Sequence, residues 1–177
     1  MWSFNIPPKA MPAVVKAPIT WSPPQVRTLK LNSDASVRPG SQRCRVVAII
    51  KDDKGWITAA VSKSLVGNFS PETEELVALR EGLLLAKGLK LKISCVELDA
   101  CNIVAMISSG IVVSGASEFV FVDVMALFKV VEVLSCQSIS RNGNRVANNL
   151  ATLAMSYKED FLWQNVCLSS IFPCLVV

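Results

Sequence analysis

Ser70-Pro71-Glu72-Thr73-Glu74-Glu75-Leu76-Val77-Ala78-Leu79-Arg80-Glu81-Gly82 is the stretch on which the fold turns, because here the apolar period changes from strand-like to helical. Ser70 suits an N-cap, Pro71 the first helical position, and Glu72, Glu74 and Glu75 the positive end of a helix dipole. The spacing predicts a helix over 71–87, with Gly88 as its stop. Leu76, Leu79, Leu83 and Ala86 share one apolar sector, while Glu75, Ala78 and Gly82 form a neighbouring line at helical spacing. The small residues on that line let it approach a sheet closely and carry Glu75 with it.

Upstream, the residues from Arg27 to Asp34 suit a strand, Val37-Arg38-Pro39-Gly40 supplies turn residues, and Cys44 to Lys51 is a β-branched apolar run fit for a buried strand. Asp52-Asp53-Lys54-Gly55 closes a hairpin onto a third strand from Trp56 to Ser62. Residues 1–25 hold six of the nine prolines and read as an extended linker, which leaves 26–160 for one domain and 161–177 for a C-terminal tail. Downstream, Lys92 to Leu98 reads as a fourth strand ended by Asp99, and a short helix follows from Asp99 to Ser108. Glu118 to Val131 is a second helix candidate, and Leu134 to Ser140 a last strand. Arg141-Asn142-Gly143 makes a turn into a closing helix through Tyr157, with Asn144 as its N-cap. The order β-β-β-α-β-α-α-β-α makes this an α/β chain with five strands.

Composition excludes several chemistries. Hydrophobic residues make up 51% and mean hydropathy is +0.44, yet the most apolar stretch, 119–128, is broken by Asp123 and bracketed by Glu118 and Lys129, so no membrane span is expected. Pro7, Pro8, Lys9 and Pro12 interrupt any apolar leader, which points to an intracellular protein of nucleus or cytoplasm rather than a secreted one. The six cysteines form no CxxC pair and read as small buried apolar residues; with no histidine in the chain, zinc sites and Ser/His/Asp or Cys/His triads are set aside. A net charge of +4, with no block of consecutive basic residues, permits contact with a polyanion without demanding it. Arg80, Lys87, Lys90 and Lys92 read as a solvated face, and Trp56, Phe161 and Trp163 as packing aromatics.

The candidate chemistry rests on carboxylates. Asp34 and Asp99 each end a predicted strand, and in open α/β sheets sites form at strand ends when the strands are neighbours running the same way. Glu75 projects from the helix between them. Three carboxylates in one cleft repel one another unless a multivalent cation neutralises them, and oxygen-only ligands suit Mg²⁺ or Mn²⁺. By spacing alone, such residues are more often solvated surface groups.

Four motifs in order decide between these readings. They are Leu31-Asn32-Ser33-Asp34-Ala35-Ser36 after Trp21-Ser22-Pro23-Pro24, the stretch from Ser70 to Gly82, Val96-Glu97-Leu98-Asp99-Ala100, and Gly143-Asn144-Arg145-Val146-Ala147-Asn148-Asn149-Leu150-Ala151. Together, over about residues 21–177, they resemble the ribonuclease H-like domain of plant genomes associated with reverse transcriptases of non-LTR retroelements. The resemblance implies a five-stranded mixed sheet flanked by helices and metal-dependent hydrolysis of the RNA strand of an RNA–DNA hybrid. It implies Asp34, Glu75 and Asp99 as catalytic residues and metal ligands. Apart from the resemblance, Arg141 and Arg145 stand close to the proposed cleft in the chain order and read equally as phosphate contacts or as solvated charges. The resemblance also shows departures. Asn148 stands where active ribonucleases H have a further aspartate, and 138–143 is shorter than the family's usual connection, where a histidine sits. Cys44-Arg45-Val46-Val47-Ala48 replaces a glycine-rich second strand. The competing expectation is therefore a catalytically silent module that binds nucleic acid or protein.

Overall fold

The computed structural model describes residues 20–37, 40, 42–111 and 115–164. Its elements are β1 (Lys30–Val37), β2 (Arg43–Lys51), β3 (Ile57–Val66), α1 (Pro71–Gly88), β4 (Cys95–Leu98), α2 (Cys101–Ser109), α3 (Ala116–Val130), β5 (Ser135–Ser138), α4 (Arg145–Ala154) and β6 (Phe161–Gln164). One mixed sheet runs in the order β5-β4-β1-β2-β3-β6. The β1, β2 and β3 meander is antiparallel, whereas β4 lies parallel to β1 and β5 parallel to β4.

The β2 run shows no alternation of polarity because both of its faces are covered. Val46, Ala48 and Ile50 face a core with Leu76, Leu79 and Leu83 of α1 and Val124 and Leu127 of α3. Val47 and Ile49 point the other way, against Val146, Leu150 and Ala151 of α4. Each fully buried Leu or Ile here contributes roughly 1.5–3 kcal/mol. Ser70 caps α1, its Oγ accepting from the Thr73 backbone N–H at 3.2 Å. Gly82 sets how close that helix comes: a Cβ there would lie 2.6 Å from the Ala48 Cβ and 2.8 Å from Leu31 Cδ1. Alanine at 82 would push α1 off β1 and β2, at a cost of about 1–3 kcal/mol. No helix among the described residues is long and apolar enough to cross a membrane.

Four expectations are corrected. The first strand does not end at Asp34 but runs on to Val37, because Val37 pairs with Cys44 on β2. Gly88 lies inside α1, and the left-handed residue that turns the chain is Lys90. The sheet has a sixth strand: Phe161–Gln164, expected to begin a tail, pairs antiparallel with β3. Buried Arg45 anchors it, donating to the Tyr157 carbonyl at 2.6 Å and reaching Asp160, whose Oδ1 also accepts from the Ser64 backbone N–H. The end of the proline-rich stretch is also packed rather than extended away. Trp21 donates through Nε1 to Asn32 Oδ1, and its ring lies under the ammonium groups of Lys30 and Lys51. Beneath it, Lys30 bonds Glu97 at 2.7 Å and the Ser22 carbonyl at 2.8 Å, and Gln137 adds a bond to Glu97.

Candidate metal centre

Asp34 stands on β1 between β2 and β4. The parallel register pairs Asn32 with Glu97, and two residues further along each chain, on the same face, come Asp34 and Asp99. Glu75 reaches them from the second turn of α1, which the Gly82 contact holds against the sheet. One carboxylate oxygen from each of Asp34, Glu75 and Asp99 lies within 4.8 Å of the other two. Asp34 is only 4% exposed, and Glu75 and Asp99 are half-buried.

The electrostatics follow from that crowding. Burial, reinforced by the charge of Asp99, pushes the Asp34 carboxyl up to about 7; Arg141, the Ala35 backbone N–H and the Asn148 amide pull the other way. Burial, with Asp34 and Asp99 adding repulsion, pushes Glu75 up to about 8, although it too receives the Ala35 backbone N–H. Asn148 thus turns its amide toward Asp34 from α4, and Arg141 lies exposed in the turn before that helix, within electrostatic reach. Arg145 is exposed at the start of α4. Of the other cations considered, Arg80 is tied to Glu81 and Asp123, and Lys92 to Glu132. Trp56 is largely exposed, contrary to a packing role, whereas Trp163 packs against the buried cluster that includes Val47, Ile49 and Ala60 and stacks on Phe161.

Asn144 is the residue whose role sequence reasoning misplaced. Its side chain makes no cap bond to α4. Instead Nδ2 donates to the Ser33 carbonyl at 2.9 Å and to Asp99 Oδ1 at 3.0 Å. An Asn before a helix signals a cap, and nothing local in the sequence signals partners so far away.

The residues fit a hard divalent cation. All three donors are carboxylates, and Asp34 Oδ2 is buried without a hydrogen-bond partner, an arrangement that is unfavourable unless positive charge faces it. Oxygen-only coordination is the preference of Mg²⁺ and Mn²⁺.

A family model described as reverse transcriptase-like matches residues 32–154. No curated protein matches the chain in sequence. Among solved structures, the chain is similar to the N-terminal RNase H domain of Rv2228c from Mycobacterium tuberculosis, solved as a maltose-binding-protein fusion, at 20% identity and TM-score 0.62 over 73% of this chain and 94% of that one. It is similar to RNase H1 from Halobacterium salinarum at 17% identity and TM-score 0.65, over 73% and 98% of the two chains. LC11-RNase H1, solved in complex with an RNA/DNA hybrid, matches at 20% identity and TM-score 0.65 over 73% and 97%. The fold is ribonuclease H-like.

Proposed function

The chain belongs to the reverse transcriptase-like family, and on that premise we propose that it hydrolyses the RNA strand of RNA–DNA hybrids using Mg²⁺ or Mn²⁺. The observation that carries this reading is the convergence of Asp34, Glu75 and Asp99 within 4.8 Å on one sheet and its covering helix. The similar LC11 enzyme was solved with such a hybrid, which supports the choice of substrate.

In this reading Asp34, Glu75 and Asp99 hold the cation. A divalent ion there supplies charge neutralisation, activation of an attacking water and stabilisation of a phosphate under in-line attack. The protein's own groups do the rest. Burial keeps the Asp34 and Glu75 carboxyls partly protonated near neutral pH, so they bind the ion by giving up protons, and affinity rises with pH. The Asn148 amide donates to Asp34 and holds its carboxylate in place, but lends no charge, so the ion is held less firmly than by four carboxylates. Arg141 is exposed within electrostatic reach of Asp34, where it would attract the scissile strand's phosphate, and Arg145, exposed at the start of α4, would contact a neighbouring one.

The test is cleavage of a labelled RNA–DNA hybrid with and without Mg²⁺ or Mn²⁺. Cleavage should need the ion and vanish in Asp34→Asn, while hybrid binding persists. Cleavage without metal, or a fully active Asp34→Asn, overturns the mechanism; metal-independent binding with no cleavage by the parent favours the silent module instead.

A further inference from the structure

We infer that Asn144 is a positioning residue for the carboxylate cluster: its side-chain amide clamps Asp99 to the backbone of β1 and so fixes the gap between Asp99 and Asp34. This assignment rests on the proposed reading of the same site as a metal centre. Asn144 is 1% exposed and immediately precedes α4. An Asn in that place ordinarily turns its Oδ1 onto a free N–H of the first helical turn, which stabilises a helix by about 1 kcal/mol. Here that bond is not made. Both amide hydrogens are committed elsewhere, one to the Ser33 carbonyl at 2.9 Å and one to Asp99 Oδ1 at 3.0 Å. That geometry leaves Oδ1 buried with no partner, which costs about 1–3 kcal/mol. Two unfavourable terms are accepted at one residue, and both follow from holding Asp99.

The chemistry of the clamp suits its place. Asp99 lies one residue beyond the end of β4, so strand pairing does not hold it, and it is only half-buried. Ser33 is the neighbour of Asp34. A single side chain that binds Ser33 and Asp99 together therefore sets the spacing of the two aspartates. An amide can do this without neutralising the carboxylate, whereas Lys or Arg would compete with a cation for its charge. The tight turn behind Asn144 is part of the device. A Cβ on buried Gly143 would collide with the Ile139 side chain, and the Asn144 backbone N–H donates to the Ser140 carbonyl at 3.0 Å. One turn later the Asn148 backbone N–H donates to the Asn144 carbonyl, so the same residue also orients the start of α4 that carries Asn148.

The experiment measures Mn²⁺ binding by electron paramagnetic resonance and Mg²⁺ binding by calorimetry on the full chain, without nucleic acid, beside thermal melts. Three variants are compared with the parent. Asn144→Ala removes the clamp. Asn144→Ser shortens the side chain out of reach of Asp99 yet supplies a good N-cap, so it should keep or raise the melting temperature. Leu150→Ala loosens the same helix at its packed face, away from the cluster. Metal affinity should fall at least about tenfold in Asn144→Ala and Asn144→Ser, equivalent to roughly 1.4 kcal/mol, and stay at the parent's value in Leu150→Ala although its melting temperature drops. With hybrid substrate, both Asn144 variants should lower kcat at saturating metal more than they raise KM. An Asn144→Ser protein that binds metal as tightly as the parent overturns the assignment alone. A parent that binds neither ion overturns it together with the proposed function, so the two failures are distinguishable.

Discussion

Replacing Asp34 by asparagine is expected to stabilise the metal-free protein and to abolish its response to divalent cations. The Asp34 carboxyl sits at about 7 in the folded chain against 3.8 as its ordinary value, raised first by burial and then by Asp99. Between those two values the folded state holds more protons than the unfolded state, so stability falls as pH rises through the window and the full penalty is present above it. Three units correspond to about 4 kcal/mol. Asparagine keeps the volume and removes the charge, but its amide nitrogen at the unpartnered Oδ2 position takes back about 1–2 kcal/mol. A net gain of roughly 2 kcal/mol remains, or a rise of roughly 4–8 °C for a domain of this size. Thermal melts at about pH 8 in chelator, repeated with Mg²⁺, check both halves, because the parent should gain from Mg²⁺ and the variant should not. An Asp34→Asn protein that melts at or below the parent in chelator, or that Mg²⁺ stabilises as much as the parent, refutes the reasoning.

Asn148→Asp should act with the opposite sign. A new charge about 4 Å from a cation contributes up to roughly 4 kcal/mol at an effective dielectric near 20 before desolvation and repulsion subtract from it, so Mg²⁺ binding and cleavage should each rise at least about tenfold while the melting temperature in chelator falls. Unchanged melts and unchanged activity would mean that position 148 does not face the ion. A third prediction concerns Lys51, which burial holds down at about 8 against 10.5, with Glu97 raising it and Lys30 lowering it further. The folded chain sheds that proton first, so its contribution to stability rises between about pH 8 and 10.5 by up to about 3 kcal/mol. The difference in unfolding free energy between parent and Lys51→Met should show that rise, and a difference that is flat with pH sinks it.

The helix from Pro71 and the buried strand at β2 were legible because local chemistry and tertiary packing agree there: Ser70 caps, Pro71 starts, and a β-branched run is buried on both faces. The convergence of the three carboxylates was anticipated from motif order, since no spacing rule says that a helix at 71–88 brings Glu75 near Asp34; that depends on Gly82 meeting Leu31 and Ala48. What escaped was set by long-range partners. β6 is four residues long and exists because Arg45 and Ser64 hold Asp160, about a hundred residues away in the chain. The end of β1 escaped because a carboxylate looks like a terminus, yet Asp34 is covered by α1 and α4 and the strand runs on through it. Asn144 obeyed a sound local rule in sequence and broke it in space, where its Nδ2 donates to Ser33 and Asp99 and that orientation takes Oδ1 away from the helix's N–H groups.

The seat of Trp21 bears on how the chain can be trimmed. A deletion drawn where the proline-rich composition ends, just before Val26, removes the Ser22 carbonyl that Lys30 donates to and the indole face that shields Lys30 and Lys51. It leaves two ammonium groups over one carboxylate, Glu97, in a freshly opened notch beside β1 and β4. Loss of activity in such a fragment would record a scaffold damaged two residues upstream of Asp34 and Asp99, not a missing contact with nucleic acid. Among the described residues, packed contacts reach back at least to an indole ring, five residues before the point where amino-acid content changes.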